Sequence, residues 1–433
     1  MKIIFKLGYL VSIALLFALT NVDVTMAADA KATLDTGDTA WMLTSTVIVL
    51  MMTIPGVALF YAGMVRKRNV LATLMQSFAI TCLVTIIWMV VGYSLAFSKG
   101  NSSLIGNLDL AFLNHLTVGA INGTIPDTVF VVFQATFAII TAALITGAVA
   151  ERMKFSALLW FIGLWSVIVY SPVTFWVWGG GFLGAAGVLD FAGGTVVHIN
   201  SGVAALVAAI MVGKRKGYGT DNLAPHNVAL TMIGASLLWV GWFGFNAGSA
   251  VGANGTAGMA MAVTQIAAAA AGLSWMTVEW FHHKKPTLLG IVSGSIGGLV
   301  AITPASGFVD PMGGLIIGLA AGVVCYWGAA LLKPMLGYDD ALDVFAVHGL
   351  GGITGAILTG VFAVQAIGGT AGALEGNVSQ ILIQFQGIGA TVLWSGAASA
   401  FILFGIDKVI GLRVDADAEA EGLDINQHGE MLH

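Results

Sequence analysis

Eleven apolar stretches, each about twenty residues long, constrain this chain more than any other feature. They run over 40–62, 70–97, 128–149, 155–178, 195–213, 228–250, 257–278, 287–304, 312–332, 344–365 and 381–404. A helix needs about 20 apolar residues to cross a hydrocarbon layer of roughly 30 Å. The links are short and polar, the longer ones being 98–127 and 214–227, and no soluble domain is inserted. The fold class that follows is an all-α polytopic membrane protein. Composition agrees: only 9% of the 433 residues are charged, against about 25% in a soluble domain. The 57 glycines sit among Leu, Val, Ile and Ala, where small residues let membrane helices approach closely. A formal charge of −5 offers no basic field for nucleic acid. Cys82 and Cys325 both lie in apolar runs and make neither a disulfide framework nor a Cys-based metal site.

The first residues read as a leader. Lys2 and Lys6 precede an apolar run from Leu7 to Leu19, and small residues follow around Ala27, Ala28 and Ala30. This layout fits a secretory signal peptide over 1–27; an uncleaved first helix is the alternative. Orientation follows from Lys and Arg. Thirteen of them fall on one side, in clusters at Arg66–Arg68, Arg152–Lys154, Lys214–Lys216 and Lys284–Lys285 and at Lys333, Lys408 and Arg413. Only Lys31 and Lys99 fall on the other once the leader is removed. The expectation is an N-terminus outside and a C-terminus in the cytoplasm.

An internal repeat is faintly visible. VVHINSGVAALVAAI at 196–210 and AVHGLGGITGAILTG at 346–360 both read Val-His, then Gly four residues after the His. Five spans separate them, and five is odd, so the two halves lie upside down relative to each other. Inverted repeats are common in transporters and place the substrate path at their interface. His198 and His348 are the only histidines inside the apolar spans. Each span carries its histidine toward mid-membrane, where a buried polar group needs a partner. Two neutral imidazoles can satisfy each other, one donating and one accepting. Three readings stay open: a structural contact between helices, a polar point in a narrow conduction path, or a two-histidine metal site. The last lacks a carboxylate or Cys at ligand spacing.

Asp190 opens DFAGGTVVHINSG, eight residues before His198. Its carboxylate can cap the start of that span or bind a cation directly. Asp343 holds the comparable place before His348, closer by three residues. Phe133 and Phe137 lie one turn apart near the outer start of the third span. Trp178 is near the outer end of the fourth, and Trp242, Phe243, Phe245 and Ser249 mark the outer part of the sixth. Aromatic faces can hold a small cation, and a serine oxygen supplies an acceptor; an interfacial aromatic belt is the plain alternative.

With these segments in view, the chain resembles bacterial ammonium transporters of the ammonium transporter/Rhesus (Amt/Mep/Rh) family. The resemblance rests on MTIPGVALFYAGMVRKRN at 52–69, FQATFAIITAALITGAVAERMK at 133–154 and DFAGGTVVHINSG at 190–202. It extends to WFGFNAGSA at 242–250, DVFAVHGLGGITGAILTG at 343–360 and GLRVDADAEAEGLDINQHGE at 411–430. It implies eleven transmembrane helices, as two inverted five-helix repeats plus a final helix, assembled as a homotrimer with one pore per protomer. Phe133, Trp178 and Ser249 match the outer recruitment site for ammonium, supported by Asp190. Phe137 and Phe245 match the phenylalanine gate, and His198, His348 and Trp242 match pore-lining residues. The membrane domain is expected over 28–410, in a bacterial cytoplasmic (inner) membrane, with a regulatory tail at 411–433. Composition alone makes that tail a solvated, acidic segment. Leu412, Val414, Leu423 and Ile425 give it apolar points that can dock, and Arg413 can pair with a nearby acid. The resemblance implies a PII-type nitrogen regulatory protein as its partner, with ammonium or ammonia as substrate and no cofactor.

The chemistry suits such roles. Ammonium and potassium match in size and charge, but ammonium carries N–H donors and can lose a proton. A charge at mid-bilayer costs several kcal/mol, so deprotonation leaves neutral ammonia as the form that an apolar lumen admits. Net electrogenic transport with separate proton movement, passive ammonia conduction and ammonium sensing are the competing functions. No Walker-type loop or metalloprotease motif is present, so an enzyme is not expected.

Overall fold

The computed structural model describes residues 33–100 and 102–432. The predicted leader and Lys31 lie outside them. Among the described residues, ten helices are long and apolar enough to cross a membrane. They are α1 (Thr36–Met64), α2 (Lys67–Phe97), α3 (Asp127–Val149), α4 (Phe155–Ala185, interrupted after Val177), α5 (Gly194–Val212), α6 (Val228–Ala250), α7 (Gly255–His283), α9 (Pro311–Leu336), α10 (Phe345–Phe362) and α11 (Ser379–Val409). The remaining predicted span is a shorter apolar helix, α8 (Leu288–Ile302), of 15 residues. At about 1.5 Å per residue it falls short of a full hydrocarbon layer.

Local chemistry sets the helix starts. Asn227, Asn254, Thr287 and Asp310 each accept a backbone N–H from the first turn of α6, α7, α8 and α9, satisfying donors that a helix leaves orphaned. Pro311 stands in the first turn of α9, where its missing N–H costs nothing. In α1, Pro55 lies within a π-turn over Met52–Val57; a proline removes an N–H donor, and the helix relaxes to wider spacing around it.

Packing separates a core from a lipid-suited exterior. α3 is almost wholly buried and packs against α1, α2 and α5. α6 lies along α1, α7 along α8 and α9, and α5 against α10 and α11. The outer faces expose Phe78, Trp160, Phe281 and Phe401. Large apolar side chains in such numbers are tolerated where lipid is the solvent. In the long link before α3, β1 (Ile121–Asn122) and β2 (Ile125–Pro126) pair antiparallel.

The two histidine helices cross backbone to backbone. A Cβ on Gly202 would come within 2.3 Å of the Gly349 amide nitrogen, and one on Gly352 within 3.0 Å of the Gly194 carbonyl. Gly202 and Gly352 are the glycines four residues after His198 and His348. They are small because α5 and α10 touch there, which is the physical content of the repeat.

Candidate functional site

Both crossing helices begin with a π-turn, Gly194–Ile199 in α5 and Phe345–Leu350 in α10, and each turn contains the histidine. Such turns widen a helix by one residue and often mark functional sites. His198 Nδ1 and His348 Nδ1 stand 3.2 Å apart, both side chains buried. One nitrogen must donate and the other accept. This contact occupies both Nδ1 atoms, and His198 Nε2 is buried with no hydrogen-bond partner. The indole of Trp242 stacks on His198 with centroids 5.4 Å apart, and its N–H donates to Thr303 Oγ1 at 2.9 Å. Both histidines line a narrow apolar cavity with Tyr61, Ile140, Leu144, Leu238, Trp242 and Phe245.

On one side of this pair, Phe137 and Phe245 stack with centroids 4.2 Å apart, and Phe245 is 6.0 Å from His198. Phe133 and Trp178 meet Phe137 edge-on at 5.0 and 5.9 Å. The Ser249 hydroxyl donates to the Phe245 carbonyl at 2.8 Å, which leaves its oxygen lone pairs as acceptors. The structure therefore brings Phe133, Phe137, Trp178, Phe245, His198, Trp242 and His348 into one continuous column. A cation at the aromatic end meets π-faces; beyond the stacked rings only a neutral solute is cheap to hold.

Asp190 stands beside this column as a cap. Its carboxylate accepts the N–H groups of Gly193, Gly194, Thr195 and Val196 at 2.8, 2.5, 2.8 and 3.2 Å, and also the Thr195 hydroxyl. Gly193 makes this possible with φ of 115°, in the left-handed region that glycine enters without strain. The Asp190 carbonyl, not its carboxylate, holds Trp178 Nε1 at 2.9 Å. Asp190 thus fixes the aromatic site through its backbone while its carboxylate is fully engaged.

The chain as a whole is similar to known proteins. The family model for the Ammonium Transporter Family matches residues 40–433. The chain belongs to this family. An ammonium transporter of Aquifex aeolicus is 50% identical over 93% of this chain and 95% of its own. One from Bacillus subtilis is 49% identical over 92% of this chain and 98% of its own. Among solved structures, Candida albicans Mep2 superposes with a TM-score of 0.83 at 34% identity, covering 89% of this chain and 88% of Mep2. A protein described as a sensor Amt protein gives 0.84 at 30% identity, over 90% of this chain and 98% of that one.

Toward the opposite end, a wider cavity opens below His348, lined by Phe60, Tyr61, Trp275, Glu279, His283, Tyr326 and Asp343 among others. Here the sequence reading needs a correction. The residue that matches Asp190 is Asp340, not Asp343: it too stands eight residues before its histidine, and its Oδ2 accepts the Phe345 N–H at 2.7 Å. Asp343 instead pairs with Lys333 at 2.5 Å. The signal was the repeated eight-residue spacing, which is the reach from a capping carboxylate across one turn to the π-turn.

Around that end, side chains from separate links form a network not foreseen from the sequence. Glu151 pairs with Arg66 at 2.8 Å and lies 3.6 Å from Arg215, and Arg215 binds Asp339 at 2.8 Å. Arg152 donates to the carbonyls of Ala150, Gly213 and Asp339. Burial opposes ionisation of Asp339, but Arg215 holds its carboxyl below the ordinary carboxylate range. The tail folds onto this network as α12 (Ala416–Glu421) and α13 (Leu423–His428). Leu412, Val414 and Leu423 are buried as expected, whereas Ile425 is 37% exposed and does not dock. Arg413 pairs with Glu419 at 2.7 Å. Asp424 accepts the Ala72 N–H at 2.7 Å, and Asn69 accepts that of Leu423 at 2.9 Å.

Proposed function

We propose that this chain carries ammonium across the bacterial cytoplasmic membrane, as the curated relatives are named for doing. The observation that carries the reading is the column of aromatic faces, stacked phenylalanines and paired histidines in an apolar cavity. Ammonium is recruited by the faces of Phe133 and Trp178 and by the lone pairs of Ser249. Asp190 supports that site by positioning Trp178. The ion then gives up its proton, because beyond Phe137 and Phe245 a charge costs several kcal/mol. Neutral ammonia passes the gate and exchanges hydrogen bonds with His198 and His348, against the wall formed by Trp242. The proton moves by a separate route, so transport is electrogenic.

The chain has eleven spans, with α8 as the short one, in two inverted five-helix halves plus α11. The side-chain network and tail face the cytoplasm, as the asymmetry of Lys and Arg requires. The protein assembles as a homotrimer, and the tail receives a PII-type regulatory protein. Residues 1–27 are removed as a signal peptide, and 28–410 form the membrane domain.

Purified protein in liposomes tests the reading. Ammonium addition should drive a saturable inward current, and equal potassium should drive none. Internal alkalinisation without current would replace electrogenic transport by passive ammonia conduction. Equal currents for the two ions would overturn the reading.

A further inference from the structure

The two crossing helices repeat one device, a carboxylate eight residues before a histidine, but load it differently. Asp190 satisfies four N–H groups and a hydroxyl. Asp340 accepts from Phe345 through Oδ2, with the Val344 N–H assisting, while its Oδ1 is buried without a partner. Only 1% of Asp340 is exposed. A carboxylate so placed has a lone oxygen that water cannot solvate and no cation bound directly to it.

Its surroundings pull both ways. Lys333 on α9 donates to the Asp340 carbonyl at 3.3 Å and gives its closer contact, 2.5 Å, to Asp343. Asp343 opposes a charge on Asp340, and Lys333 favours one. Arg152, from the link between α3 and α4, also favours it. Tyr61 on α1 and Tyr338 in the preceding link are the phenols that face it.

We propose that Asp340 is the positioning residue for His348, and that its ionisation from the cytoplasmic side sets how firmly the first turn of α10 is held. An ionised carboxylate accepts an N–H bond about twice as strongly as a neutral acid. Charging Asp340 therefore tightens the grip on Phe345, three residues before His348. Protonation loosens the grip, so the inner histidine moves more freely against its fixed partner on α5. Asp190 has no matching freedom, because five donors engage both of its carboxylate oxygens. Burial, with Asp343 beside it, pushes the Asp340 carboxyl up to about 6, against the pull of Lys333 and the two amides. That range lies close to cytoplasmic pH. The effect on flux rests on the transport reading above; the effect on α10 does not.

Two readouts separate these claims. The first is hydrogen exchange at the amides of Val344 and Phe345, corrected for intrinsic rates, between about pH 5 and pH 7.5. Wild-type protection should rise about five-fold across this range, and that of Asp340→Asn should stay flat. Asp340→Glu, which keeps a carboxylate, should retain a pH response and guards against a variant that fails to assemble. Wild type and Asp340→Asn changing in parallel would overturn the proposal. The second is the ratio of Asp340→Asn to wild-type ammonium current at varied internal pH, which cancels the driving force. The ratio should be near one at about pH 5 and about five-fold lower at about pH 7.5. A constant ratio would overturn the link to flux. Wild type carrying no ammonium current would defeat the transport reading, and the exchange experiment would still decide the role of Asp340.

Discussion

The outer approach to His198 and the inner approach to His348 are built on the same backbone plan, with opposite materials. On the outer side, α5 starts from a carboxylate with every acceptor site engaged, and Phe133, Phe137, Trp178 and Phe245 cluster above it. On the inner side, α10 starts from a carboxylate with an idle oxygen, beside ion pairs that join three links. Rigidity and π-faces suit selecting an ion by charge and by its N–H donors. Ion pairs that join separate segments suit responding to conditions or partners. The difference teaches that a repeat can duplicate a pore helix while leaving each mouth free to take its own chemistry.

The largest test of this contrast is loss of the two caps. Asp190→Ala strands several buried N–H groups and should cost about 3–5 kcal/mol of stability. Asp340→Ala strands fewer and should cost about 1–2 kcal/mol. Thermal unfolding of the protein in mild detergent measures both, and equal losses would erase the distinction. Next in size is the tail. Leu423→Ser removes a buried anchor worth about 1.5–3 kcal/mol and should expose the tail to protease. Ile425→Ser should change this by less than about 0.5 kcal/mol.

The sequence made the spans legible because their apolar runs are long: most predicted ends fall within a few residues of the helices. α8 is the weak case, since a 15-residue helix gives a short signal. The histidine pair was legible because buried imidazoles are conspicuous in apolar runs. The sequence pointed to Asp343 as the counterpart of Asp190, and the fold shows that it is Asp340 that reaches the amides of α10. The π-turns leave no compositional mark. The contacts of Arg215 with Glu151 and Asp339 join residues up to 124 positions apart, which no local pattern can pair. In the tail, a two-residue shift separates buried Leu423 from exposed Ile425; only the docked pose of α13 decides which one faces inward.

Trp178→Leu sharpens the outer half of the comparison. It removes a π-face worth about 0.5–2 kcal/mol to a cation, so the apparent affinity for ammonium should fall by roughly two- to thirty-fold. Unchanged affinity in a current titration would take Trp178 out of recruitment. The smallest expected effect lies at the end of the tail. His428 packs edge-on to Phe155 at 5.0 Å, and burial lowers its pKa despite Asp424 and Glu430 nearby. The undocked tail then binds the proton more readily. Docking is complete above the ordinary histidine range near 6.5 and weakens as pH falls through it. Protease sensitivity of the tail should rise modestly between about pH 7.5 and 5.5 in wild type and stay level in His428→Gln.

The histidine pair joins the two halves, and replacing one member tests the whole column. The measurement is the current carried by ammonium and by potassium in liposomes containing wild type or His198→Ala, with trimer assembly checked by native mass spectrometry. Wild type should carry ammonium and exclude potassium. His198→Ala, which leaves His348 Nδ1 without its 3.2 Å partner, should assemble as a trimer and lose ammonium-specific transport. A variant that moves ammonium at the wild-type rate and still rejects potassium would show that the histidines only hold two helices together.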